Sequence, residues 1–308
     1  MAQLTASEVI TRVKAGQSLG QAELSGIDLS HVCLDESNFS SAYLRRTRLR
    51  HSSCRRVNLA HATLTLADLT GSSLADSQLS HAVFIQACLD GVNLQRSQAV
   101  AARFHGAHLD QADLSFAHLQ QTDFREASGP QSRFKGVDLT EAQLDDANFS
   151  QSSFADANLK RSRWQNTILS GASFAAADLT QADFTASILM GANLSEAHAA
   201  GVKFQEADLT AAVLRASQLE WADFWNTILM NADLRSAALY GATLEFANLS
   251  NANLQDADLR DANLENAQLD NVRLEGCQVR GALFTDATGL SVEQKQWLKR
   301  NGALNVEQ

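Results

Sequence analysis

The sequence predicts a repeat solenoid, a chain that turns a corner every five residues, and three observations predict it. First, the positions 24, 29, 34 and so on to 284 form a column of 53 residues, of which 35 are Leu and 12 are Phe. Second, the column two residues earlier, from Ala22 to Ala282, holds only Ala, Ser, Thr, Val or Cys apart from Ile27, and 31 of its members are Ala. Third, the register never slips between residues 22 and 286. A helix would spread a period of five around all its faces, and a strand would send its apolar residues to alternate faces. A chain that bends after every fifth residue satisfies the pattern. The large side chain then fills the axis, and the small one sits where the wall turns and space is short.

Taken in order, residues 1–18 read as a short capping helix. Thr5-Ala6-Ser7-Glu8 has capping-box spacing ahead of Val9, Ile10 and Val13, and Gly16 is a stop. Residues 19–288 are the repeat. Within it, Ser128-Gly129-Pro130 puts a glycine at an axial position and the only proline just after it. An irregularity is therefore expected at 128–131, either a local bulge with the register kept or a kink. Residues 289–308 repeat the logic of the N-terminus: Ser291-Val292-Glu293-Gln294 opens a helix that contains Trp297 and Leu298 and ends at Gly302. Both helices are expected to cover open edges that would otherwise add strands. For the second, a dimer contact through Trp297 and Leu298 is the alternative.

Stretches such as Ala252-Asn253-Leu254-Gln255-Asp256-Ala257-Asp258-Leu259 resemble the A(D/N)LXX motif of the pentapeptide-repeat family, and the resemblance spans residues 22–286. It implies an all-β fold, a right-handed quadrilateral parallel β-helix in which four pentapeptides make a square coil of 20 residues. About thirteen coils spaced ~4.8 Å apart would give a rod about 60 Å long. Two features of the sequence test that coil length. Phe84, Phe104 and Phe124 fall in one column of residues twenty apart, continuing through Leu144 to Trp164, Phe184, Phe204 and Phe224, while Phe134, Phe154 and Phe174 fall in another. Charged residues twenty apart are of opposite sign in 13 pairs, such as Asp28/Arg48 and Asp113/Arg133, and of like sign in 5, such as Glu245/Glu265. Neighbouring strands disfavour like charges, so both counts support the coil.

Composition narrows the function. Of 308 residues, 45% are apolar and 6% aromatic. No apolar run approaches the ~20 residues that span a bilayer, and Met1 to Gly16 lacks the apolar stretch of a secretory leader, so a cytoplasmic chain is expected. The net charge is −10, yet the first hundred residues carry 9 Lys/Arg against 8 Asp/Glu. Four cysteines without C-x-x-C spacing predict neither a disulfide framework nor a zinc site. Flat walls around a packed axis do not form the concave, water-excluding site that catalysis needs. There is also no GxxxxGK[ST], GxSxG or HExxH motif. No enzyme, cofactor or metal is expected. His31/His51 and His61/His81, each pair twenty apart, read as solvated wall residues. Cys54 and Cys277 take core positions. The arginines at 45, 46, 48, 50, 55 and 56 read as a solvated collar paired with acidic neighbours, rather than as a phosphate site.

Binding is left to the outer wall. Ile168, Ile188 and Ile228 share one outward column, interrupted by Asp208, and are read as lying at a corner. Met190 and Met230 share a second column, Trp225 falls on the neighbouring face, and Trp221 and Phe246 also point outward. So much apolar surface predicts a contact with a protein partner or with a second copy of the chain. The preferred reading is a non-enzymatic interaction scaffold. Gln21-Ala22-Glu23-Leu24-Ser25-Gly26-Ile27-Asp28-Leu29 is similar to pentapeptide modules of bacterial type VI secretion accessory proteins, which adds a secretion-accessory or effector role. The alternative is a DNA-mimicking, topoisomerase-binding protein of the Qnr/MfpA kind. Against it, no acidic column runs beyond two consecutive coils.

Overall fold

The bends that the five-residue period demands come from a single backbone state. In the computed structural model, which describes residues 4–306, every residue numbered with a final 1 or 6 from Gln21 to Asp286 has a left-handed φ, between +52° and +79°. Only 11 of these 54 residues are glycine, although the left-handed region costs other residues about 1–2 kcal/mol. A recurrent hydrogen bond offsets that strain. The carbonyl of nearly every core residue accepts the N–H three residues on, as Leu19 O does from Ala22 at 3.1 Å. This closes a β-turn whose third residue is left-handed.

Between turns the backbone is extended for three residues, and side chains alternate in, out and in. Ala42 and Leu44 are buried, for example, while Tyr43 between them is exposed. The middle residue makes a parallel bridge to the residue twenty further on, in series such as Glu23, Tyr43, Thr63 and Val83. Four such bridging positions fall in every twenty residues, so each coil has four short strands and four corners.

Two compact units divide the chain, Met1–Asn158 and Leu159–Gln308. In the first, Phe84, Phe104 and Phe124 stack with centroids 4.9 and 4.6 Å apart. Phe134 stacks on Phe154 at 4.7 Å and meets Phe149 edge-on at 5.3 Å. In the second, Trp164, Phe184, Phe204 and Phe224 stack at 5.4, 5.4 and 5.3 Å. The spacing is close to that of neighbouring strands. The buried Trp164 indole N–H donates to Ser162 Oγ at 2.7 Å.

Many hydroxyls in the small column are satisfied by the carbonyls of core residues. Ser52 donates to Leu49 O and Thr227 to Phe204 O, both at 2.6 Å. That column therefore accepts Ser and Thr at most positions without stranding a buried donor, although the buried Ser72 and Ser97 hydroxyls have no partner among the described residues. Burial pushes the Cys54 and Cys277 thiols up to about 12, leaving them neutral packing groups.

Residues 128–131 show neither the bulge nor the kink expected there. Ser128 bridges His108 and Asn148, and Gly129 N–H donates to Asn148 O at 2.8 Å. The glycine is a packing device. A Cβ at position 129 would lie 2.8 Å from Phe149 Cε1 and 3.1 Å from Leu109 Cβ, because the Phe149 ring already fills that part of the axis. Pro130 takes the second place of the following β-turn. Its fixed φ suits that place, where other repeat residues give their N–H to a side chain, as Ser115 does to Asp113.

Helix α1 (Ala6–Lys14) begins with the expected capping box between Thr5 and Glu8, and its Val9 is fully buried. Helix α2 (Val292–Arg300) has the matching box between Ser291 and Gln294, and Gln294 Nε2 also donates to Val272 O at 2.9 Å. Leu298 is fully buried and Trp297 half-buried, which puts Leu298 out of reach of a second chain. After Gly302, with φ +83°, the chain returns as an unexpected strand. Leu304 bridges Leu283, and its N–H donates to Ala282 O at 2.8 Å.

Candidate functional site

The outward residue beside each core position sets the chemistry of the wall. Asp113 is typical. Its Oδ1 accepts the Ser115 N–H at 3.0 Å and the Ser115 hydroxyl at 2.7 Å. Its Oδ2 accepts from Gln95 Nε2 at 2.7 Å and Arg133 Nε at 3.1 Å. Asn148 makes the same turn with Ser150. Asp and Asn are thus chosen here because a short side-chain oxygen can hold the N–H two residues on. The free carboxylate oxygen then faces the residue eighteen back in the neighbouring coil.

This geometry explains the ion pairs. Arg48–Asp28, Arg55–Asp35, Arg56–Glu36, Arg96–Asp76 and Arg133–Asp113 join residues twenty apart, as charge counting predicts. Others reach such carboxylates across shorter spans. Arg50–Asp68 (2.7 Å) and Arg215–Asp233 (2.8 Å) span eighteen residues, while Arg125–Asp123 and Arg260–Asp258 span two. Four of the six collar arginines are paired, and Arg45 and Arg46 form no ion pair among the described residues.

The paired carboxylates predict acid sensitivity. Asp233 is held well below the usual carboxylate range by hydrogen bonds from Arg235 and then Arg215, against the opposing effect of burial. Asp258 is lowered chiefly by Arg260, and Asp76 by Arg96. A carboxylate lowered on folding stabilises the fold above its unfolded value, near ~3.9, and loses that contribution as pH falls through the folded value. Asp110 runs the other way, raised by burial and by Asp90, but it is outnumbered. Urea unfolding should therefore show stability falling steadily below about pH 4, with a shallower fall in Arg235→Met. A flat profile from pH 5 to pH 2 would contradict this account.

The histidine pairs stack as expected, His31 on His51 at 5.4 Å and His61 on His81 at 4.8 Å. Among the described residues, no three His, Cys, Asp or Glu converge to hold a metal ion.

The apolar residues separate into two groups. Ile168, Ile188 and Ile228 lie at the centre of one wall of the 159–308 unit, bridged in series with Asp208 and Asn248, and each is 39% exposed. They are not at a corner. The turn preceding that wall carries Trp225 and Phe246, whose rings meet edge-on at 6.4 Å. The turn following it carries the exposed Met190 and the half-buried Met230. Trp225 therefore borders the isoleucine wall rather than occupying a neighbouring one.

Trp221 belongs to another corner. It is 62% exposed, packs edge-on against Tyr240 at 5.2 Å, and lies over Gly241. A Cβ on Gly241 would fall 2.5 Å from the indole, so that glycine makes room for the ring. Phe116 over Gly136 in the first unit repeats the device. Sequence reading missed exposed Tyr43, Leu66 and Phe116. A large residue one or two places after a core position, with glycine twenty further on, would have signalled the Phe116 and Trp221 cases.

The repeat model for pentapeptide repeats, in eight copies, matches overlapping segments that together run from residue 22 to residue 286. The chain belongs to the pentapeptide-repeat family. As a pentapeptide-repeat protein it has the right-handed β-helix fold. It is similar to HetL, a pentapeptide-repeat protein involved in heterocyst differentiation regulation from the cyanobacterium Nostoc sp. strain PCC 7120. The identity is 28% over 94% of this chain and 100% of that one, with a TM-score of 0.25. QnrB1, a plasmid-mediated fluoroquinolone resistance protein, is 21% identical over 66% of this chain and 98% of its own, with a TM-score of 0.31. A pentapeptide-repeat protein from the Arabidopsis thaliana thylakoid lumen is 31% identical over 45% of this chain and 79% of its own, with a TM-score of 0.22. No curated protein matches. Among the described residues of this pentapeptide-repeat chain, no helix is long and apolar enough to cross a membrane.

Proposed function

We propose that this pentapeptide-repeat chain is a non-enzymatic interaction scaffold that holds a protein partner, or a second copy of itself, through its outer wall. The observation that carries the reading is the exposed column of Ile168, Ile188 and Ile228, bordered on one side by Trp225 and Phe246 and on the other by Met190 and Met230. Apolar side chains gathered on one wall favour burial against another molecule. The repeat supplies a rigid frame for them, while α1 and α2 serve as covers for its ends. A secretion-accessory or effector role rests on the opening segment, Gln21 to Leu29, alone. The topoisomerase reading is weaker, because arginines neutralise many of the wall carboxylates that would have to imitate phosphates.

The test compares the wild-type chain with Ile188→Asp plus Ile228→Asp, by light scattering and by capture from a bacterial lysate on the immobilised chain. Both side chains point out of the wall, so the fold should persist by circular dichroism. The double substitution is expected to abolish either a dimer or the retention of a discrete protein. Equal masses and equal retention profiles for the two chains would refute the scaffold reading at this wall.

A further inference from the structure

The isoleucine wall carries a charge pattern that specifies its partner. Its strands and two bordering turns comprise residues 165–171, 185–191, 205–211, 225–231, 245–251, 265–271 and 285–290. Together these hold no Lys, Arg or His, yet they hold Glu206, Asp208, Glu245, Glu265, Asp270 and Asp286. None of these six carboxylates has an ion-pair partner among the described residues. Asp208 accepts only the Thr210 N–H, and Glu265 the Thr285 hydroxyl. Other walls of the same unit differ: Asp178 pairs with Lys160, Asp233 with Arg215 and Arg235, and Asp258 with Arg260. Carboxylates such as Glu196, Glu220 and Asp256 on other corners also lack an ion pair among the described residues. This wall, however, joins its six to the apolar side chains and holds no cation at all.

This pattern argues against a second copy of the chain. Two such walls placed face to face would oppose six carboxylates with six more and supply no cation, and like charges brought together at an interface disfavour association. A partner with an apolar stripe and basic flanks meets both halves of the pattern. Its geometry can also be specified. Isoleucines on successive coils are ~4.8 Å apart, close to the ~5.4 Å pitch of an α-helix. A helix lying along the column would set apolar side chains against Ile168, Ile188 and Ile228, with a basic one at the turn that meets Asp208 between them. Its Lys or Arg residues would then reach Asp208, Glu245 and Glu265.

We propose that the Ile168–Ile188–Ile228 wall docks a cationic amphipathic helix of a partner protein, and not another copy of this chain. The proposal rests on the scaffold reading above and names the chemistry of its partner.

Two synthetic 18-residue helical peptides test it, with the same Leu stripe and either Lys or Glu flanks, titrated calorimetrically into the full chain. The Lys peptide is expected to bind, and the Glu peptide at least tenfold more weakly. Asp208→Lys with Glu245→Lys and Glu265→Lys should weaken the Lys peptide at least tenfold. The control, Glu196→Lys with Glu220→Lys and Asp256→Lys, makes the same change in net charge on distant corners and should leave binding within twofold of wild type. Equal weakening by the control would show attraction to overall charge and overturn the proposal. Equal binding of the two peptides, both lost in Ile188→Asp plus Ile228→Asp, would refute the basic partner and leave the scaffold reading standing. No binding of either peptide would also overturn the proposal, while lysate capture at the same wall decides the scaffold reading separately.

Discussion

Phe104→Ala should destabilise the fold by about 3–5 kcal/mol, the range for removing a fully buried Phe. Phe104 has no exposed surface and lies between the stacked rings of Phe84 and Phe124. Neither neighbour can collapse into the gap without leaving its own partner, because each ring is fixed by a coil that bridges both ways. Phe116→Ala is the matched control. That ring is 54% exposed, and its loss should change stability by no more than about 0.5 kcal/mol. Urea unfolding of both variants checks the pair, and hydrogen exchange should place the Phe104 damage in residues around 84–124. A loss below about 1 kcal/mol for Phe104→Ala would mean that the axis is loosely packed.

Gly129→Leu makes the second case, because the repeat pattern and the structure predict opposite signs. Leu is the commonest residue of the axial column, so restoring it looks like a repair. The structure predicts a loss of about 1–3 kcal/mol from overpacking, since the space is already taken by the Phe149 ring and the Leu109 side chain. The double variant Gly129→Leu with Phe149→Ala should be less damaged than the sum of its parts, by at least about 1 kcal/mol, because the two side chains compete for one volume. Strict additivity, or a stabilised Gly129→Leu, would rule out this competition.

These cases show where legibility in the sequence ends. The two inward columns were visible because burial admits few residue types, and the twenty-residue coil because aromatic and charged residues repeat at that spacing. The capping boxes at Thr5 and Ser291 were legible because they are local in the chain. The left-handed corners were not, since Gln, Asp, Arg, Ala and even Trp221 occupy them and glycine marks only 11 of 54. The regular turn imposes the conformation, so side-chain preference leaves little trace. Gly129 looked like a break because its reason lies in Phe149, twenty residues away.

The isoleucine wall was legible as an apolar column, but its position at a wall centre required the bridging pattern. The separation of Trp221 from Trp225 required the same. The return of Leu304 onto Leu283 had no sequence signal, since it depends on how far α2 carries the chain.

The bridges that join residues twenty apart also bear on how the chain reaches its fold. All-β proteins usually fold slowly, since distant segments must meet before they gain any contact. Within each unit the partner strand is almost everywhere the neighbouring lap, a separation of roughly 0.06 of the chain length, which falls at or below the range of helical bundles. Each completed lap offers a ready edge to the next, so assembly can zip outward from any aromatic stack that forms first. In kinetic terms, a polypeptide built from strands has the topology of a fast-folding helical protein.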